Sequence, residues 1–156
     1  TSLAYDETWY AEHRDAGLDY AFYGHWQKAY AAMVVDATLQ ASYDAPSVFD
    51  AGCACGANLA GFLESGVFAS LRGVDISSYM VALGQQAFGF DQDQLSVGSV
   101  TALPAASNSV TLLHSNQVLE HLPPNIIDET IDEMIRVVQP GGRIWAICST
   151  WPGTYL

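Results

Sequence analysis

Ser47-Val48-Phe49-Asp50-Ala51-Gly52-Cys53-Ala54-Cys55-Gly56 is the stretch that decides the fold. An apolar strand ends in an acid and runs directly into a turn made of Gly, Ala and Cys. Side chains this small let a ligand approach backbone N–H and C=O groups that anything bulkier than a methyl or thiol would shield. Between a strand and a helix, such a turn points to a nucleotide-type cofactor held on an open α/β sheet.

The pattern on either side agrees. Upstream, residues 1–19 are polar and aromatic, and Tyr20–Ala41 reads as one substantial helix ending near Pro46. Downstream, helical stretches at Asn58–Ser65, Ser78–Ala87 and Ile126–Val138 alternate with short strands. The strands are expected at Val48–Asp50, Leu71–Asp75, Leu95–Val97, Val110–Leu113 and Arg143–Cys148, with Gln139-Pro140-Gly141-Gly142 closing the last helix. This alternation predicts an α/β fold, a doubly wound, mostly parallel sheet of about five strands with an N-terminal helical segment. We expect one compact body, divided into a cap segment, residues 1–45, and a cofactor-binding domain, residues 46–156.

Composition narrows the function. The chain of 156 residues carries 17 acids against four Arg and the single Lys28, a formal charge of −12. That surface repels a phosphate backbone, which argues against nucleic acid. No apolar run approaches the roughly 20 residues of a membrane span, and the acidic, aromatic start is unlike a secretory signal. The three cysteines, Cys53, Cys55 and Cys148, form no paired framework, so a reducing, cytoplasmic setting is expected. Cys53-Ala54-Cys55 has no second Cys/His pair nearby and reads as small turn residues rather than a metal site.

Asp75 ends the second strand, 19 residues beyond Gly56. A carboxylate there accepts both hydroxyl protons of a ribose. A dinucleotide frame, G-x-G-x-x-G, is met imperfectly by Gly52, Ala54 and Ala57, which leaves a nicotinamide-dependent oxidoreductase as a competing reading. The frame D-x-G-x-x-x-G puts Asp50 beside the ligand, where it suits an ammonium and would repel a pyrophosphate.

With these residues in view, the chain resembles the class I S-adenosylmethionine-dependent methyltransferases of the Rossmann-like type. Their D-x-G-x-G-x-G pattern is matched at Asp50–Gly56, with Ala54 in place of the middle glycine. The second-strand acid is matched by Gly73-Val74-Asp75-Ile76-Ser77, and later blocks by Ser109–Pro123 and Met134–Arg143. The resemblance implies S-adenosylmethionine as cofactor, a small-molecule methyl acceptor, and transfer by direct displacement. It implies cofactor contacts at Asp50, Ala51, Gly52, Cys53 and Gly56 in the turn and at Asp75, Ile76 and Met80 around ribose and adenine. Ser99 and Val100 follow the third strand, where the family usually has an acid for the adenine amino group, and Ser115 and Gln117 follow the fourth.

In similar enzymes a segment before the first motif caps the cofactor. That implies contacts for Tyr5 and Gln27, with Gln27 and Arg14 meeting the methionyl carboxylate. His114, Gln117, Glu120 and His121 are expected in the loop after the fourth strand. His121 is there as either a general base or an ordinary loop residue, and a sulfonium donor does not demand a base. The family fold adds a sixth and seventh strand, and the sequence ends at Leu156 shortly after the fifth. We therefore expect a fragment, a partner over that edge, or a tolerated edge. Self-association would use the late-strand edge or the N-terminal segment. The competing class is a non-catalytic module that binds S-adenosylmethionine or S-adenosylhomocysteine.

Overall fold

A computed structural model of the chain describes residues 6–15, 26–39 and 43–149. Five strands make one sheet: β1 (Ser47–Ala51), β2 (Ser70–Asp75), β3 (Leu95–Val97), β4 (Val110–Asn116) and β5 (Val138–Ile147). Every pairing is parallel and the order is β3-β2-β1-β4-β5. The helices are α1 (Glu7–Asp15), α2 (Trp26–Thr38), α3 (Ala57–Ser65), α4 (Ser78–Phe88) and α5 (Pro124–Val137), with a short 3-10 helix at Leu119–His121. The expected doubly wound parallel sheet is present.

Parallel strands covered on both faces must be apolar in both directions, and β1 is buried from Val48 to Ala51. Val48 and Leu112 face α2 and α3, in a core with Ala31, Val34, Leu59 and Phe62. Phe49, Val74 and Leu113 face the opposite way and pack on Met134 and Val137 of α5. Asp50 and His114 are register partners. Alternation along their strands puts both on the α2–α3 face.

The strand order reverses between β1 and β4, which opens a crevice at their carboxyl ends. The N-terminal helices bracket this crevice. Tyr30 of α2 reaches His114 near the carboxyl end of β4, while Tyr43, beyond α2, donates to the Gly141 carbonyl near the start of β5, at 2.7 Å. The N-terminus of α2 therefore sits at the crevice. Tyr10 of α1 stacks on Tyr79 at the start of α4, ring centroids 6.1 Å apart.

Two expectations change. The helix expected over Tyr20–Ala41 is described only as α2, since residues 20–25, 40 and 41 lie outside the described residues. The fifth strand begins at Val138 rather than Arg143, and Pro140-Gly141-Gly142 lies within it instead of ahead of it. Pairing shifts from Val110↔Val138 to Leu112↔Arg143 across a bulge. A bulge is where Pro, which has no N–H, and Gly141, at φ +81°, fit within a strand.

Candidate functional site

The turn after β1 is held in an unusual backbone shape. Gly52, Ala54 and Gly56 have φ of +76°, +49° and +73°. The N–H groups of Gly52 and Cys53 both donate to the Val74 carbonyl of β2, at 2.9 and 3.0 Å. Gly56 N–H closes the loop onto the Cys53 carbonyl at 2.8 Å and caps α3, whose N-terminal dipole faces the crevice. A Cβ on Gly52 would lie 2.4 Å from Val118 Cγ2, so glycine is required there for space as well as φ. Burial, with Asp50 and Asp75 nearby, pushes the Cys53 thiol well above its ordinary pKa, so it is a packed thiol and not a nucleophile. Among the described residues no group of three His, Cys, Asp or Glu could hold a metal ion.

Ala54 replaces a family glycine in a left-handed position, which disfavours a Cβ by about 1 kcal/mol. Ala54→Gly should therefore leave stability unchanged or raise it by up to about 1 kcal/mol in urea unfolding, the gain being limited by glycine's looser unfolded chain. A clear loss would show that the alanine methyl has packing of its own.

Asp75 braces this turn from the next strand. Its Oδ2 accepts the Ala54 N–H and its Oδ1 the Ser77 N–H, each at 2.8 Å. Ser77 in turn caps α4, its Oγ accepting the Met80 N–H at 3.3 Å. Each carboxylate oxygen keeps further acceptor capacity for a ribose hydroxyl. Burial is the largest effect on this carboxyl and raises its pKa above 3.8, outweighing the two N–H donors. A hydroxyl pair bound at this carboxylate would therefore be held more weakly as pH falls through a window above 3.8, when protonation removes the charge and turns one acceptor oxygen into a donor. For stability the sign is opposite. With the folded pKa above the unfolded one, Asp75 favours folding fully below 3.8 and loses that contribution as pH rises through its folded value. Weakened binding on mild acidification, with an Asp75 contribution that raises rather than lowers the unfolding midpoint, is the expected calorimetric result.

Beside Asp75 the surface is apolar. Ile76 is 64% exposed, and Val97, the register partner of Asp75, is 56% exposed. Ser99 hydrogen-bonds Thr101, with Oγ to Oγ1 at 2.8 Å and the Thr101 N–H donating at 3.2 Å, while Val100 packs toward the α5 core. Met80 is fully buried, so the exposed apolar ledge consists of Ile76 and Val97 instead. Val97 carried no motif; its only signal was its place at the end of a short strand.

At the other end of the crevice, His114 is not in a loop. It lies within β4, fully buried, because a polar residue at a strand's end can be paired with a neighbouring strand as readily as solvated. Its Nδ1 is 2.7 Å from Asp50 Oδ1 and its Nε2 is 2.8 Å from Tyr30 Oη, which in turn lies 3.1 Å from Trp145 Nε1. Asp50 Oδ2 is buried with no hydrogen-bond partner, and so is Nε2 of Gln27 at the start of α2. Ser115 Oγ donates to the Ala51 carbonyl at 3.0 Å, tying β4 to the start of the turn.

Gln117 adopts φ +57°, its N–H donates to the Ile147 carbonyl at 2.8 Å, and its Oε1 accepts the Ser149 hydroxyl. Glu120 is buried, accepting the Ser149 N–H at 2.9 Å through Oε1 and leaving Oε2 without a partner. His121 is exposed at the end of the 3-10 helix. Tyr5 lies outside the described residues, as does the side chain of Arg14. Thus the structure brings together the turn, Asp75, Ile76, Ser115 and Gln117 at one edge. It adds Tyr30, His114 and Trp145, which the sequence gave no reason to join.

Comparison with known proteins fits this geometry. A family model described as a methyltransferase domain matches residues 49–146. No curated protein sequence matches the chain. Among solved structures, a Haloferax volcanii candidate methyltransferase, in complex with the Trm112 methyltransferase activator, is similar at 25% identity and TM-score 0.63, over 92% of this chain. CalS10 of Micromonospora echinaspora, an amino pentose methyltransferase with S-adenosylmethionine bound, is similar at 20% identity and TM-score 0.71, over 100% of this chain. DesVI of Streptomyces venezuelae follows at 18% and 0.73, over 94%. The chain spans only 60–62% of the length of these three proteins. A five-stranded parallel sheet with a small-residue turn at its switch point, matched by the domain model over most of its length, places the chain in the methyltransferase-domain family, the Rossmann-like class I enzymes whose cofactor is S-adenosylmethionine.

Proposed function

We propose that the chain binds S-adenosylmethionine at the carboxyl ends of β1, β2 and β4 and supports methyl transfer to a small-molecule acceptor. The observation that carries this reading is a pair of buried, unpartnered polar atoms of opposite kind. They are Asp50 Oδ2 at the end of β1, just before the left-handed turn, and Gln27 Nε2 at the start of α2, the helix that packs on α3. An amino-acid moiety offers an ammonium to the acceptor and a carboxylate to the donor, whereas a dinucleotide's pyrophosphate has no use for a buried carboxylate. The residues present therefore fit the cofactor.

In this reading Asp75 takes the ribose hydroxyls. Ile76 and Val97 flank the adenine with Ser99 and Val100 at its edge, and Met80 supports them from below. Ala51, Gly52, Cys53 and Gly56 present backbone along the sugar and thioether. Ser115 and Gln117 line the end where the acceptor enters. When bound, the cofactor supplies a methyl group already activated on a sulfonium. The chain's part is then to orient and to exclude water, and no acid–base pair is required of it. The proposed division is a cap segment, residues 1–45, and a cofactor-binding domain, residues 46–156. The Tyr10–Tyr79 contact supports a capping place for α1, and Tyr5 is proposed as a further cofactor contact.

The formal charge of −12 favours a small acceptor over nucleic acid. Among the described residues no helix is long and apolar enough to cross a membrane. The buried thiols of Cys53 and Cys55, neither of them in a disulfide, support a reducing, cytoplasmic setting. The β5 edge, flanked by the exposed Ile135 and Ile144, is the surface proposed for self-association; a purely monomeric sedimentation profile would remove that element.

The test is transfer of a labelled methyl group from S-adenosylmethionine to a panel of amines, alcohols and acidic carbon compounds. Label on at least one acceptor is expected. Tight binding of S-adenosylhomocysteine with no acceptor labelled would replace the enzyme with a binding module.

A further inference from the structure

Four side chains from four elements form one hydrogen-bonded line, half-buried at Trp145 of β5 and Tyr30 of α2 and fully buried at His114 of β4 and Asp50 of β1. The direction of its hydrogen bonds is fixed at the start, because an indole N–H only donates. Trp145 Nε1 therefore donates to Tyr30 Oη. The phenol keeps its own proton, since burial, with some help from the Asp50 charge and against the Trp145 bond, pushes its pKa up to about 12. That proton goes to His114 Nε2. The imidazole proton is then on Nδ1 and is donated to Asp50 Oδ1. Every hydrogen-bonding site along the line is filled in this arrangement, and polarisation runs one way toward the carboxylate. Edge contacts from Tyr30 and Phe62, at centroid distances of 5.6 and 5.1 Å, hold the ring in place. The line ends on a single unsatisfied atom, Asp50 Oδ2.

We propose that Tyr30 and His114 are positioning residues for the amino-acid end of the cofactor: they fix the Asp50 carboxylate so that its free oxygen takes the ammonium. This rests on the cofactor reading above and extends it to residues that do not themselves touch the ligand. Tyr30 acts twice. Docked on His114, it also anchors α2, which carries Gln27 three residues earlier, on the adjoining turn of the helix, where the carboxylate is bound. The N-terminal segment and the β1 acid are thereby set as one unit, and the two ends of the zwitterion are recognised together.

The experiment compares two ligands by calorimetry on the whole chain. S-adenosylhomocysteine has the amino-acid moiety; 5′-methylthioadenosine has the same nucleoside and thioether without it. Tyr30→Phe keeps the ring packing and removes the hydroxyl. His114→Gln places its amide near Nε2 and abandons Asp50, whereas His114→Asn places an amide near Nδ1 and keeps that donor. His114→Gln removes the bond to the Asp50 carboxylate itself and should weaken S-adenosylhomocysteine by about tenfold. Tyr30→Phe removes the bond one step back, to the imidazole, and should weaken it by about threefold. Both should leave methylthioadenosine within about twofold. His114→Asn keeps the Asp50 donor and loses the Tyr30 bond, so it should match Tyr30→Phe for both ligands and stay milder than His114→Gln.

Parallel weakening of both ligands, or no weakening in Tyr30→Phe, would overturn the assignment. Should His114→Gln fail to fold, Tyr30→Phe decides alone. A native chain that binds neither ligand would instead overturn the cofactor reading, a result distinct from unaltered selectivity in the variants.

Discussion

Asp75→Ala should weaken S-adenosylhomocysteine binding by about a hundredfold or more. Hydrogen bonds to an ionised partner contribute about 1.5–3 kcal/mol each, and a ribose offers two hydroxyls to one carboxylate. The lower figure taken twice is about 3 kcal/mol, or two powers of ten in affinity. The variant also strips the N–H groups of Ala54 and Ser77 of their acceptor, so the turn and the α4 N-terminus relax together. Asp75→Asn retains one acceptor oxygen without charge and should fall between, at about tenfold. Affinities for Asp75→Ala within threefold of the native chain would show that the ribose lies elsewhere.

Gly84→Ala should be the most damaging glycine-to-alanine change among the described residues. A Cβ at Gly84 would stand 2.1 Å from the Cys55 carbonyl oxygen, 2.7 Å from its carbon and 2.7 Å from Leu95 Cδ2. Neither α4 nor the turn can yield alone, since Ser77 and Asp75 join them. Overpacking of this kind opposes folding by about 1–3 kcal/mol and sometimes more. The better helix propensity of alanine returns about 1 kcal/mol at a helix interior. Contact with backbone on one side and a buried leucine on the other puts the net loss near 2 kcal/mol, a drop of roughly 4–8 °C in Tm for a domain of this size. Cofactor affinity should fall with it, because the displaced carbonyl belongs to the turn. An unchanged or raised Tm would show that α4 has room to move.

Much of this was readable from sequence, for identifiable physical reasons. A parallel strand buried on both faces must be apolar, which is why Val48-Phe49 and Val110–Leu113 announced themselves. A turn that receives a ligand must be small, which is why Gly52–Gly56 did so too. What stayed hidden depended on partners distant in sequence. His114 follows an apolar run, and nothing local distinguishes a polar residue leaving a strand from one paired across it to Asp50. Tyr30 and Trp145 looked like ordinary aromatics of a helix and a strand. Met80 stood in the expected adenine position, yet the packing of α4 turned it inward and left Ile76 and Val97 at the surface. The start of β5 was masked by Pro140-Gly141-Gly142, residues that usually end an element and here occupy a bulge. Gly84 carried no signal at all, because its necessity lies in the closeness of Cys55.

The central claim is that this crevice is built for a nucleoside bearing an amino acid rather than for a dinucleotide. Calorimetric titration of the native chain with S-adenosylhomocysteine and, separately, with NAD addresses it most directly. Saturable one-to-one binding of S-adenosylhomocysteine with no heat from NAD is the predicted result; binding of NAD with none of S-adenosylhomocysteine would contradict it.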